Sequence, residues 1–153
     1  MTEKRIILDN IRSAHNVGSI FRTADGAGVT MIYLCGTTPA PIDRFGRVQK
    51  EIAKTSLGAT ESVSWEFVDD VSQCIFDLQQ KGFTIVAVEQ NERSVLIDEW
   101  NVPEKGVYIF GNEIDGVSEE VISRSDSVVA IPMRGRKESL NVSVAAGIVL
   151  FKE

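Results

Sequence analysis

Residues 131–151, IPMRGRKESLNVSVAAGIVLF, restrict what this chain can fold into more than any other stretch. They begin at the end of a buried strand predicted over 127–133, which Pro132 brings to a close. Residues 134–139 are a charged loop containing Gly135. From Asn141, a favourable N-cap, a helix is expected to run to the end of the chain. Val142, Val144, Ile148, Val149, Leu150 and Phe151 point in every direction around that helix, so it must be covered on most sides. Ser143, Ala146 and Gly147 fall at i, i+3 and i+4 and form a strip of small residues that another backbone can approach closely. The cover must come from unusual burial within the chain or from a second subunit. The loop ahead of the helix places Arg, Lys, Ser and Asn side chains at a helix N-terminus, a natural mouth for a polar ligand.

A chain of 153 residues suggests one domain with a core of its own. Its start, MTEKRIILDN, is polar and then strand-like, which is not the pattern of a leader peptide. No apolar run approaches the roughly 20 residues that span a bilayer, so no membrane association is expected. Cys35 and Cys74 lie in apolar patterns without metal-ligand spacing and read as reduced core thiols, which suits a cytoplasmic protein. With a single histidine, His15, no metal site is expected. The net charge of −6 argues against a uniformly basic nucleic-acid binder.

Strand-like and helix-like segments alternate along the chain. Residues 5–9, RIILD, form a short apolar strand. Val17, Ile20, Phe21 and Ala24 then follow a helical period, with Asn16 predicted as N-cap and Gly28 as the stop. Gly18 and Arg22 share another face, where the missing side chain lets a neighbour come close to Arg22. Residues 30–35 read as the second strand. Asp43 is predicted to cap a helix reaching about Leu57, and on it Arg44, Arg47, Lys50 and Lys54 would fall within about a third of the circumference. That stripe reads either as a solvated face or as a set of phosphate contacts.

A strand over 63–68 and a helix capped by Asp69 or Asp70 follow, with Val71, Cys74, Ile75 and Leu78 facing inward. Residues 83–89, FTIVAVE, have the unbroken apolar character of a central parallel strand. Residues 90–105 look irregular and are expected to cross a sheet edge. A strand over 107–110 runs into GNEIDGVS, and Ser118 caps a short helix with Val117 and Ile122 as a hydrophobic staple. The alternation implies an α/β fold with a mostly parallel sheet and helices on both faces. Ligands in such sheets bind beyond the carboxyl ends of strands, where three polar, Gly-bearing segments lie: from Glu89 onward, 111–116 and 133–139. No GxGxxG or phosphate-binding P-loop pattern is present.

Three stretches, NVGSIFRTADGAGV, FGNEIDGVS and IPMRGRKESLNVSVAAGIVLF, together resemble, in that order, the three motifs of the SpoU family of RNA ribose 2′-O-methyltransferases in the SPOUT superfamily. The resemblance implies a C-terminal trefoil knot, a rare exception to the rule against threading, and S-adenosylmethionine bound at that knot. It also implies a homodimer packed through first and last helices. By matching positions, Gly111, Ile131, Met133, Ser139 and Leu140 would line the cofactor pocket, joined by Val88. Asn16, Arg22, Glu113, Ser139 and Asn141 match the polar positions tied to substrate and catalysis.

Of the sixteen Lys and Arg residues, Arg12, Arg22, Arg44, Arg47, Lys50, Lys54, Arg134, Arg136 and Lys137 lie in or near these segments. A local RNA-binding face on an acidic body is therefore expected. Arg22 is the favoured catalytic residue by resemblance. A guanidinium is a poor base, so its expected part is to hold a phosphate and steady a developing alkoxide. Asn16 would orient the ribose, Ser139 and Asn141 would hold the active loop, and Glu113 would position Arg22 or the cofactor. His15 is expected at the surface or against RNA rather than as the base. The small size of the chain favours tRNA over rRNA as substrate. The readings kept open beside this one are rRNA methylation, methylation of a base nitrogen, and a non-catalytic RNA-binding or assembly module that retains the cofactor pocket.

Overall fold

The computed structural model describes residues 2–153. The strands are β1 (Glu3–Asp9), β2 (Met31–Cys35), β3 (Ser64–Val68), β4 (Thr84–Val88), β5 (Val95–Leu96), β6 (Lys105–Phe110) and β7 (Ser127–Ala130). The inner strands are runs of aliphatic and β-branched residues that suit a pleated surface buried on both faces, whereas the edge strands β3 and β5 have no buried residue. All seven form one sheet in the order β3-β2-β1-β6-β4-β7-β5, and every pairing is parallel. The helices are α1 (Ala14–Ala27), α2 (Lys50–Ser56), α3 (Ala59–Ser62), α4 (Val71–Gln80), α5 (Glu119–Arg124) and α6 (Val142–Leu150).

The strand period of two divides the core. Ile6 and Leu8 point to one face, with Val17, Ile20 and Phe21 of α1 and Ala146, Val149 and Leu150 of α6. Ile7 points to the other, with Cys74, Ile75 and Leu78 of α4 and Val121 and Ile122 of α5. Helices therefore cover both faces, as expected. Both cysteines are free and buried.

Several boundaries differ from the sequence reading. The N-cap of α1 is Ser13, whose hydroxyl accepts from the Asn16 amide at 3.1 Å, so Asn16 lies inside the first turn and does not cap. Gly28 closes α1 in the left-handed conformation, φ 75°. The helix predicted from Asp43 starts only at Lys50, with Gln49 as cap. Residues 42–48 instead form a tight hairpin. Ile42 bridges Val48, Gly46 takes φ +79°, and Asp43 Oδ1 accepts from the amides of Phe45 and Arg47 at 2.9 Å each. A carboxylate that caps its own turn competes with helix, so Arg44 and Arg47 do not share a helical stripe with Lys50 and Lys54. The irregular 90–105 segment contains the edge strand β5 and a 3₁₀ turn, Ile97–Glu99. Strand β7 stops at Ala130, and Ile131–Met133 have already left the ladder.

Gly18 does not open a path to Arg22. A Cβ there would overlap Thr55 Oγ1 and sit 2.9 Å from the Ile52 carbonyl, so its role is the close crossing of α1 and α2. Two members of the small strip of α6 face their own chain, Ala146 being buried and Gly147 lying against the Thr23 methyl. The α6 C-terminus is held by Lys4, whose buried ammonium donates to the Leu150 carbonyl at 2.6 Å, where the helix dipole favours a cation. Val144, Ile148 and Phe151 remain 51%, 42% and 57% exposed.

Gly18→Ala is expected to cost about 1–3 kcal/mol, because the α1–α2 crossing must open against a backbone carbonyl. Gly26→Ala should be close to neutral: its Cβ would meet only the exposed Phe151 ring at 3.3 Å, and alanine favours helix. Urea unfolding of the two variants checks the contrast.

Candidate functional site

Parallel strands bring all their carboxyl ends to one edge of the sheet. There the segments after β4, β6 and β7 enclose a cleft of about 630 Å³, which the turn into α6 completes. The segments are the three picked out by their polar, glycine-bearing character.

Two glycines make the cleft wall. At Gly111 a Cβ would lie 2.4–2.5 Å from the Gly116 carbonyl and the Val117 amide, so no larger residue fits that crossing. Gly116 has φ +72°, and a Cβ there would overlap the Glu89 carboxylate. Glu89 accepts from the Val117 amide at 2.9 Å and from the Gln90 amide at 2.9 Å, latching the 112–117 turn to the end of β4. Asn112 braces the same turn: its Oδ1 accepts from the Ile114 and Asp115 amides, and its Nδ2 donates to the Asn10 carbonyl at 2.9 Å. Neither Glu89 nor Asn112 was assigned a role from sequence. A carboxylate closing an all-apolar strand, and an Asn four residues before a glycine, are the available signals.

At the other side of the cleft a polar chain joins three segments. Glu113 accepts from the amides of Arg12 and Ser13 at 2.9 Å each, just where α1 begins. It also accepts from Asn16 Nδ2 at 3.3 Å. Asn16 Oδ1 accepts from Asn141 Nδ2 at 3.3 Å, and Asn141 Oδ1 accepts from the Ser143 amide at 2.9 Å, capping α6. Burial opposes ionisation of Glu113. The Arg12 and Ser13 amides, its own amide and the Asn16 carboxamide outweigh this and hold the carboxyl below its ordinary value of 4.5.

The residues expected around a cofactor, Val88, Gly111, Ile131, Met133, Ser139 and Leu140, all line the cleft. So do Asn16, Glu113, Ser139 and Asn141. Arg22 does not: it is exposed on α1 and makes no ion pair among the described residues. Within this chain Glu113 organises the start of α1 and makes no hydrogen bond or ion pair with Arg22. Arg12 is exposed beside Glu113, and Arg134 and Arg136 are exposed on the loop after β7. Arg44, Arg47, Lys50 and Lys54 are exposed beyond the end of β2. His15 is exposed, and its carbonyl accepts from Thr55 Oγ1.

Burial pushes the Cys74 thiol up to about 12 and the Cys35 thiol higher still, so neither is a nucleophile at neutral pH. Among the described residues no three His, Cys, Asp or Glu side chains are grouped to hold a metal ion. None of the described helices is long and apolar enough to cross a membrane.

The SpoU rRNA Methylase family profile matches residues 3–151. The tRNA (guanosine(18)-2′-O)-methyltransferase of Aquifex aeolicus is 34% identical over 151 residues, covering 96% of this chain and 66% of that protein. The 23S rRNA (guanosine-2′-O-)-methyltransferase RlmB of Neisseria meningitidis is 34% identical over 145 residues, covering 95% and 55%. An AdoMet-bound rRNA methyltransferase from Sinorhizobium meliloti superposes with a TM-score of 0.85 at 28% identity, covering 97% and 54%. The chain thus spans between about half and two thirds of the length of these relatives.

The lowered Glu113 carboxyl gives a pH signature. The ionised group contributes to stability above its ordinary value of 4.5, and that contribution is lost as pH falls through the lowered folded-state value. In an acid titration by NMR, the Arg12 and Ser13 amides should shift together with a midpoint below 4.5. In Glu113→Gln this transition should vanish, and the α1 N-terminus should exchange amide protons faster at every pH.

Proposed function

This chain belongs to the SpoU methylase family, and we propose that it transfers a methyl group from S-adenosylmethionine to a ribose 2′-OH of RNA. The observation that carries the reading is a convergence. Five cofactor positions expected from the second and third motifs line one cleft together with Val88, and the Asn16–Asn141 pair, whose Asn16 belongs to the first motif, stands at its side. The chemistry of the lining fits the group. Val88, Ile131, Met133 and Leu140 offer apolar walls to an adenine ring, and the crossing at Gly111 leaves main-chain amides and carbonyls to meet polar atoms.

When bound, the cofactor supplies a methyl group already activated on a sulfonium sulfur. The protein's task is to hold the ribose hydroxyl in line, roughly 3–3.5 Å from that carbon, and to steady the oxygen as its proton leaves. Asn16, fixed between Glu113 and Asn141, is placed to orient the ribose. Ser139 and Asn141 hold the loop that leads into α6. A guanidinium keeps its proton at neutral pH, so Arg22 grips the adjacent phosphate and stabilises the alkoxide, and the proton passes to water or to that phosphate.

Arg22 stands outside the cleft of its own chain, which supports a homodimer as the working unit. Val144, Ile148 and Phe151, at i, i+4 and i+7, make an exposed apolar stripe on α6. Phe151 rests against Gly26, one turn along α1 from Arg22. A second copy covering this stripe would also meet Arg22, so Arg22 of one protomer serves the cleft of its partner. The C-terminal knot belongs to the same proposal. It is supported by β7, which inserts between β4 and the earlier strand β5 before the chain continues into α6. The free, buried thiols suit action in the cytoplasm.

Relatives act on tRNA and on rRNA, and tRNA is the substrate class we favour. Incubation with unmodified tRNA and rRNA, followed by nucleoside analysis, tests the reaction. A 2′-O-methylated nucleoside supports it; a methylated base, or cofactor binding without transfer to either RNA, overturns it.

Light scattering should report a dimer, and paired Ile148→Asp and Phe151→Asp changes should give a monomer that still folds, since both side chains are exposed in one chain.

Arg22→Ala should lower single-turnover transfer by about 10²–10³-fold with cofactor affinity unchanged by calorimetry. Arg22→Lys should recover little, because it lacks the planar fork. Mixing Arg22→Ala with Asn141→Ala should restore about a quarter of native activity, since a mixed dimer of shared sites keeps one intact centre. No recovery would place Arg22 in its own subunit's cleft.

A further inference from the structure

The hairpin of residues 42–48 has no part in the cleft or in the core. Its tip carries Phe45, 67% exposed, flanked by the exposed apolar side chains of Ile42 and Val48. The tip is braced by short-range bonds. Asp43 N donates to the Arg47 carbonyl, Gly46 N to the Asp43 carbonyl, and Gln49 N to the Pro41 carbonyl, each at 2.9 Å. Asp43 Oδ2 also accepts from Arg47 Nε at 2.9 Å. Two guanidiniums, those of Arg44 and Arg47, lie over the Phe45 ring, each 5.0 Å from its centroid, where a stacking base would take their place and free them for phosphates. A large aromatic ring is thus held at the surface on a preorganised turn, with planar cations over it.

Charge selects the occupant. Residues 42–54 carry Arg44, Arg47, Lys50 and Lys54 against Asp43 and Glu51, in a chain whose net charge is −6. The tip is a locally cationic projection with an aromatic platform, the combination that binds single-stranded nucleic acid by stacking on bases while cations meet phosphates. It also lies on the cleft's edge of the sheet. The carboxyl end of β2, which leads through residues 36–41 into the hairpin, is two strand positions from β6 in the order β2-β1-β6, about 10 Å at the usual strand spacing. Thr55 on the following helix donates to the His15 carbonyl, next to Asn16 of the cleft, which ties the two regions together.

We propose that Phe45 stacks on an unpaired base of the RNA substrate near the nucleotide being methylated, with Arg44 and Arg47 engaging the adjoining phosphates. The proposal rests on the RNA reading of the cleft. It selects substrates in which the target nucleotide sits in a loop, because a paired base has no free face to offer.

The probes are a twelve-nucleotide oligouridine and a duplex of the same length, with binding to the dimer followed by fluorescence anisotropy. The native protein should prefer the single strand. Phe45→Ala should weaken single-strand binding by about tenfold or more, the scale of one lost base–aromatic stack, and leave duplex binding and the salt slope unchanged. Phe45→Trp should restore the preference and Phe45→Leu should not. Paired Arg44→Gln and Arg47→Gln changes should instead flatten the salt dependence for both probes. Cofactor affinity should be the same in all of them, which also reports that each variant is folded.

Native-like single-strand preference in Phe45→Ala overturns the proposal while the methyltransferase reading stands. Loss of the dimer in Phe45→Ala, with RNA affinity unchanged, also overturns it and assigns the tip to a protein contact. A native protein that binds cofactor but neither probe and methylates no RNA removes both readings.

Discussion

The side-chain amide of Asn16 is where three distant parts of the chain meet. Its nitrogen donates to Glu113 and its oxygen accepts from Asn141, partners 97 and 125 residues away. Asn16 is buried, and a buried carboxamide left without partners would cost about 1–3 kcal/mol. Each end of the amide therefore selects one approach of a later segment. Glu113 in turn takes the Arg12 and Ser13 amides, which a helix start leaves without intrahelical partners. The start of α1, the turn after β6 and the start of α6 are held by one polar chain, and the cleft is the space that chain and the strand ends enclose.

The opposite wall depends on closeness of backbones. Gly111 passes against Gly116 and Val117 with no room for a side chain, and Gly116 leaves space for the carboxylate of Glu89. Glu89 satisfies the Val117 amide, so the turn is both tight and hydrogen-bonded. Val88 and Ile131 supply apolar surface to the same cleft.

A single chain leaves two features unmatched: an apolar stripe on α6 that faces water, and an arginine on α1 that stands outside the cleft. Inward, the same helix is packed, with Ala146, Val149 and Leu150 buried and Lys4 closing its end. One helix thus has one face completed within the chain and another that is exposed. The proposed dimer resolves both features at once, since the stripe and Arg22 lie on neighbouring helices joined by the Phe151–Gly26 contact.

Much of this was legible in the sequence because it depends on neighbours within a few positions. The apolar runs of the strands, the caps at Asp70, Ser118 and Asn141, and the left-handed stop at Gly28 are local physics. The second and third motifs also named cleft residues, since each begins at a strand end, while Val88 was legible as the end of its own strand. Other features were decided by competition that local pattern does not reveal. Asn16 has the chemistry of a cap, but Ser13 takes that role and Asn16 is drawn to Glu113 and Asn141. Asp43 likewise could have begun a helix, yet its carboxylate gains more by closing its own hairpin with Phe45 and Arg47, and this separates two arginines from the lysines that follow. Gly18 looked like clearance for Arg22 and proved to be clearance for α2. Local periodicity determined which residues are helix, strand and loop. Only the tertiary structure decided which polar group each side chain answers to, because partners a hundred residues apart in sequence become neighbours only when the sheet has set its strand order.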